Sequence, residues 1–447
     1  MINPGIFSLT RAAIALPMVL LLISCAAYVN EHWDQRFGPS SVQDRSVSPE
    51  SVAGIFYDSE VKPIIEQRCV VCHGCYDAPC QLKLSSTAGI ERGASPEKVY
   101  SSSRLSAATP SRLFIDHQTT REWRIAGFTP VLNERRQDPA TNIEAGVMAR
   151  LLQQKQAHPL PDEARLPDSF DLGLNRAQQC PRAEDMDHYE QRFPLWGMPY
   201  ALPGLSQAEH STLMAWLEQG APMPKQLPPN PDAQLQIDAW EAFLNGDSDK
   251  QRLAARYLYE HWFLAHLYFS DLPAGAFYRL VRSETPPGEP IKVVATRRPY
   301  DDPGVHRVYY RFWAEQATVV DKTHMPYALN RQRLDKYRAW FMEADYTVAG
   351  LPGYAPEITA NPFKVFEAIP SDIRFRFLLE EAHFTIMNFI KGPVCRGQIA
   401  LDVIQDQFWM FFVDPDTHVY TGVFHDDGQW RGSATMLRGG SSGSSTD

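Results

Sequence analysis

After its first 27 residues the chain has no apolar run approaching the roughly 18 residues that a membrane-spanning helix needs. It also lacks a surplus of positive charge. Its 43 Lys and Arg face 53 Asp and Glu, a formal net charge of −10. Nucleic acid is therefore not an expected partner, because phosphate binding needs a basic footprint. There is no internal repeat, and no carboxylate pair or Ser/His arrangement that would account for a reaction. One formal Gly-x-Ser-x-Gly, Gly439 to Gly443, sits in a low-complexity tail. A nucleophile elbow needs a strand before it and a helix after it, so this match carries no chemistry.

What is present is ordinary globular material, 44% hydrophobic and 21% charged over 447 residues. Two or three compact units are expected at that length. Residues 12–23, "AAIALPMVLLLI", follow Arg11 and precede Ser24-Cys25-Ala26-Ala27. This is an apolar core with a small-residue exit, too short for a comfortable span. Residues 1–26 read as a signal peptide cleaved after Ala26, as a lipoprotein signal acylating Cys25, or as an uncleaved anchor. Each sends the rest of the chain out of the cytoplasm.

Residues 27–50 are polar and read as a linker. A helix is expected over "SVAGIFYDSEVKPIIEQRC", with Pro63 breaking its first turn. Residues 88–187 read as a long, loop-rich insertion. "SQAEHSTLMAWLEQG" has a capping box in Ser206 and Glu209, an apolar face at Leu213, Trp216 and Leu217, and Gly220 as its stop. "KQLPPNPDAQ" marks a boundary. Beyond it, a long aromatic helix from Asp249 to Phe269, strands in "IKVVATRR" and "HRVYYRFW", a helix over "SDIRFRFLLEEAHFTIMNFIKG" and a buried strand in "QFWMFFVD" suggest an α+β unit over 232–432. Residues 433–447 form a flexible tail.

Four of the seven cysteines fall in "RCVVCHGCYDAPC", residues 68–80. Cys69-x-x-Cys72-His73 is the attachment motif of c-type haem: two thiols add across the vinyl groups of one porphyrin edge, and the adjacent histidine binds iron. A zinc half-site, a thioredoxin-like pair and a disulfide are the competing readings. Zinc would want a second Cys/His pair, which is missing, and a redox pair would follow a strand. The helix before the motif, and the "GMPYALPGL" loop before the capped helix, resemble the opening and close of class I cytochromes c. That makes the first unit, 51–226, a mainly α cytochrome c-like haem domain carrying the insertion. Met198 is the leading sixth ligand, with Met223, Met325, His117 and His324 as further candidates. Cys75, Cys80, Cys180 and Cys395 are expected in disulfides, with Cys75 and Cys80 close enough to bridge and the connectivity open.

"CVVCHGCYDAPCQLKLSS", "HMPYALNRQRLDKYRAWF", "IPSDIRFRFLLEEAHFTIMNFIKGPVCRGQIALDVI" and "QFWMFFVDPD" together resemble the bacterial fatty acid cis-trans isomerases, from about Ser51 to Pro415. The resemblance implies a periplasmic enzyme of Gram-negative bacteria with one covalent haem c on Cys69 and Cys72 and His73 as proximal ligand. It implies conversion of cis-unsaturated acyl chains of membrane phospholipids to trans, without ATP or NAD(P)H. Ferric haem would withdraw electron density from the double bond. Peripheral membrane contact and the cytochrome c maturation machinery follow as partners, and the aromatic residues of Asp249–Phe269 are a candidate membrane-facing surface. Members of that family are longer, so the second unit is expected to be an incomplete copy. The rival reading is an electron-transfer cytochrome with a partner-binding domain, and a haem peroxidase or oxidase stands behind it.

Overall fold

Ser51 starts the helix that leads toward the cysteine motif by accepting the Gly54 amide on its hydroxyl at 3.1 Å. In this computed structural model, residues 31–101, 108–109, 111–161, 165–168, 170, 177–273, 275–320, 323–391, 423–424 and 430–431 are described. The signal segment, the tail, Cys25, Cys395 and the "QFWMFFVD" segment lie outside them.

The expected break at Pro63 takes a milder form. Helix α1 (Val52–Phe56) widens into a π-helical stretch, Tyr57–Val61, before α2 (Lys62–Arg68) resumes with the proline in its first turn. Proline cannot supply an i→i−4 bond, and a wider turn is one way to absorb the missing donor. A short helix, α3 (Val70–His73), carries the motif onward. Tyr57, Val61, Ile65 and Val70 enter the first core.

Part of the loop-rich stretch 88–187 packs into that core. Ile90, Val131, Leu132, Met148, Ala149 and Leu152 share it with the motif helices. Several short helices and α4 (Val147–Ala157) arise within this stretch. Their weak periodicity reflects length: a helix of six residues offers too few apolar positions to register. Helix α5 (Gln207–Glu218) closes the core with Leu213, Trp216 and Leu217, and its capping box is present as expected. The 27–50 segment is not a free linker either. Residues 31–37 are helical, and β1 (Ser46–Val47) pairs in parallel with β2 (Met223–Pro224). Buried Arg45 donates to the carbonyls of Asn133 and of Gly220.

The second unit is built on α6 (Pro231–Leu244) and α7 (Asp249–Trp262), capped by Asn230 and Ser248. Here the expected helix to Phe269 is too long. It stops at Trp262, and β3 (His266–Phe269) becomes a sheet strand. The sheet order is β5-β4-β3-β6, with β4 (Tyr278–Ser283), β5 (Tyr309–Ala314) and β6 (Pro326–Leu329). Only β3 and β6 run parallel. The expected strand "IKVVATRR" reduces to one bridge, Val293 to Ser283. Trp240, Trp262, Tyr337, Phe341 and Phe377 pack edge-on or tilted beneath. Tyr257, Trp262 and Phe269 are buried and Phe263 and Tyr268 partly so. The aromatic segment is core, not a membrane-facing surface. The helix over 371–392 is two, α8 (Ser371–Glu380) and α9 (Ala382–Lys391), parted at Glu381, whose φ is −134°.

Candidate functional site

One helical turn brings the motif together. The Cys69 amide continues α2 by donating to Ile65, and the Cys72 and His73 amides both donate to the Cys69 carbonyl. Spacing of three and four residues puts Cys69, Cys72 and His73 on one side of the turn. Neither Cys69 nor Cys72 is in a disulfide; Cys69 is partly buried and Cys72 exposed. Burial pushes the Cys69 thiol up to about 12, so it stays protonated. Gly74 follows because the turn is tight: a Cβ there would stand 2.8 Å from the Val70 carbonyl and 3.4 Å from the Val320 side chain.

His73 is 9% exposed, and its Nδ1 lies 3.0 Å from the carbonyl of Leu82. A carbonyl only accepts, so Nδ1 carries the proton and Nε2 keeps its lone pair. The Leu84 amide returns a bond to the His73 carbonyl at 2.8 Å. A histidine held through Nδ1 with two reduced thiols beside it matches the donor set of a c-type haem. Among the described residues no group of three His, Cys, Asp or Glu could hold a metal ion by itself.

Among the described residues, Cys80 and Cys180 form the disulfide, with Cα atoms 5.8 Å apart across a sequence separation of 100. Of the connectivities the spacing left open, Cys80 takes the distant one and not the local bridge to Cys75. Cys75 is buried and takes no part in a disulfide. The bridge holds the chain where Cys80 and Gln81 both have positive φ, 53° and 50°, just before Leu82 reaches His73.

The candidate sixth ligands are dispersed. Met198 is partly buried, and its amide donates to Leu151 at 3.1 Å. Arg68, the residue before Cys69, donates to the carbonyls of Pro203 (3.1 Å) and Gly204 (2.7 Å), so the Met198 loop is tied to the motif helix. Met223 is buried in β2. His117 stacks edge-on against Trp123 at 4.8 Å, and His324 is exposed. Met325 is buried and lines a cavity of about 930 Å³ between the two units, to which Gly74 and Tyr76 contribute from the motif side.

That cavity holds the residues sequence reasoning missed. Buried His266 accepts the Met325 amide on Nδ1 at 3.2 Å and faces Glu315 at 3.9 Å. Glu315 is ion-paired with Arg279. Burial pushes Glu315 up, but Arg279 and Lys83 outweigh it and hold its carboxyl at about 2. No motif announces this cluster, because Lys83, His266, Arg279 and Glu315 meet only through the fold.

The sequence profile of the fatty acid cis/trans isomerase (CTI) family matches residues 108–429, most of the chain and starting after the Cys69–His73 turn. The chain belongs to that family and is an enzyme acting on the double bonds of fatty acids. No curated protein and no solved structure matches it. Among the described residues no helix is long and apolar enough to cross a membrane.

Proposed function

We propose that the chain converts cis-unsaturated acyl chains of membrane phospholipids to trans, in the periplasm and at the membrane surface, using one haem c. Cys69 and Cys72 would hold the haem through thioethers, and His73 and Met198 would ligate its iron. The observation that carries this reading is the bond from His73 Nδ1 to the Leu82 carbonyl, which leaves Nε2 as a metal donor.

Bound there, ferric haem supplies an electron-withdrawing centre that weakens a nearby π bond. The trans isomer is the more stable, so no ATP or NAD(P)H is needed. The chain's own residues do the positioning. Leu82 fixes the tautomer and ring orientation of His73. Arg68 fastens the Met198 loop to the motif helix. The Cys80–Cys180 bridge holds the turn that delivers Leu82. The Met198 thioether, if it ligates that iron, would be a weak ligand that raises the potential.

The test is lipid analysis of a maturation-competent host expressing the full chain. Trans acyl chains should accumulate with the wild type and be absent with Cys69→Ser/Cys72→Ser. Equal trans content from the two proteins would exclude haem as the agent.

A further inference from the structure

The cavity between the units has a charge opposite to that of the protein. Seven Lys and Arg side chains line it against two carboxylates, in a chain of net charge −10. Much of that charge is already used: Arg112 is paired with Asp116 at 2.7 Å and Arg279 with Glu315. Lys83 is not. Among the described residues it has no hydrogen bond or ion-pair partner, only longer-range attraction to Glu315. Arg92 and Arg282 are each 2% exposed, line the same cavity, and leave Nε–H without an acceptor. Such buried donors cost free energy unless a ligand or water completes them. The same cavity is also lined by the apolar side chains of Phe263, Leu264, Val281, Val293 and Val294. At about 930 Å³ the space is at the upper end of small-molecule sites, roughly 300–1,000 Å³.

We propose that this cavity is an acyl-chain chamber in which Lys83 binds the anionic head of the substrate, a carboxylate or a phosphodiester, while the tail lies along the valine-rich wall. Arg92 and Arg282 set the positive field behind that head. The inference rests on the family's action on fatty acids, and not on the haem. It places the head group beside the segment that leaves His73, since Leu82 carries the histidine's bond and Lys83 is the next residue. Specificity then comes from the charge at one end, and the tail is accepted on length and shape.

The test is binding of palmitoleate, methyl palmitoleate and palmitoleoyl lysophosphatidylglycerol to the purified full chain, by calorimetry. Wild type should bind the acid, the lysolipid or both at least about tenfold more tightly than the neutral ester, and whichever anion binds identifies the head. Lys83→Met should lose about tenfold for that anion and nothing for the ester, and Lys83→Arg should restore it. Circular dichroism and in-gel haem staining of each variant separate this loss from misfolding. Equal affinity of wild type for ester and anions would overturn the proposal without recourse to any variant. Unchanged anion binding by Lys83→Met, with a shifted haem reduction potential, would also overturn it and assign Lys83 to the haem edge. Anion-selective binding by protein that carries no covalent haem would support the chamber while refuting the haem reading.

Discussion

Thr318 donates its hydroxyl to Glu66 Oε1 at 2.7 Å, and its amide donates to the Ser85 carbonyl at 2.7 Å. A loop that leaves the sheet of the second unit thus clasps α2 three residues before Cys69. Thr318→Val keeps the shape and the amide bond but removes the hydroxyl, so it should cost about 1 kcal/mol. Thr318→Ser should cost less. Chemical denaturation of the three proteins decides it, and equal midpoints would show that the clasp does not contribute.

On the proposed reading, haem attachment and iron ligation would rest on different residues. Protein matured in a competent host should keep its haem on a denaturing gel, and Cys69→Ser/Cys72→Ser should not. Met198→Ala should retain the covalent haem and lose the near-infrared band of a thioether-ligated ferric iron, with a lower potential. If Met325→Ala loses that band instead, the sixth ligand comes from the cavity.

The Cys80–Cys180 bridge closes a loop with a sequence separation of 100. The chain-entropy argument makes such a closure worth about 4 to 5 kcal/mol. Cys80→Ser/Cys180→Ser should lose most of that in denaturant titration, and a reductant should destabilise the wild type alone. Because the bridge adjoins the turn to Leu82, the variant's haem spectrum should also broaden.

Acid should weaken the second unit well above the carboxylate range. Burial pulls His261 down to about 4, against its bond to the Tyr257 carbonyl, and burial with the Arg279 charge pulls His266 down to about 3. Both are neutral when folded and take a proton near pH 6.5 when unfolded. The unfolded state therefore binds more protons below pH 6.5, and stability falls from there until the folded pKa values are passed. His261 accounts for no more than about 3 kcal/mol of this. Denaturant midpoints between pH 7 and pH 4.5 should drop for wild type, with about half the slope in His261→Phe.

Anion binding at Lys83 should fail in alkali. Burial pulls Lys83 down to about 8 against the attraction of Glu315, with Arg279 and Arg92 adding to the fall and Cys75 opposing it. Glu315 keeps its charge through this range, and Arg92, which burial pulls down to about 10, loses its own only later, so the ammonium is the first group lost. Affinity for the anionic probe should decline above about pH 8 in wild type and stay level in Lys83→Arg. A level wild-type profile to pH 10 would place the binding charge elsewhere.

Local signals were legible in sequence because one turn of chain satisfies them. Ser206 and Glu209 cap α5 reciprocally within four residues, and Cys69, Cys72 and His73 need only a single helical turn to share a side. The aromatic segment after Ser248 was misread in length, because a run of large apolar residues has the same appearance in a buried helix and in a central strand. Pairing of β3 with β4 and β6 ends α7 at Trp262, and that competition is not written in the segment itself. The sequence alone determined the capped helix and the membership of an isomerase family, and it placed Cys69, Cys72 and His73 within one turn of chain. Only the tertiary structure decided that Cys80 meets Cys180, that Leu82 holds His73, and that Lys83, Arg279 and Glu315 line one cavity. Those contacts span up to a few hundred residues, and a chain's spacing carries no record of which distant groups its two cores will bring together.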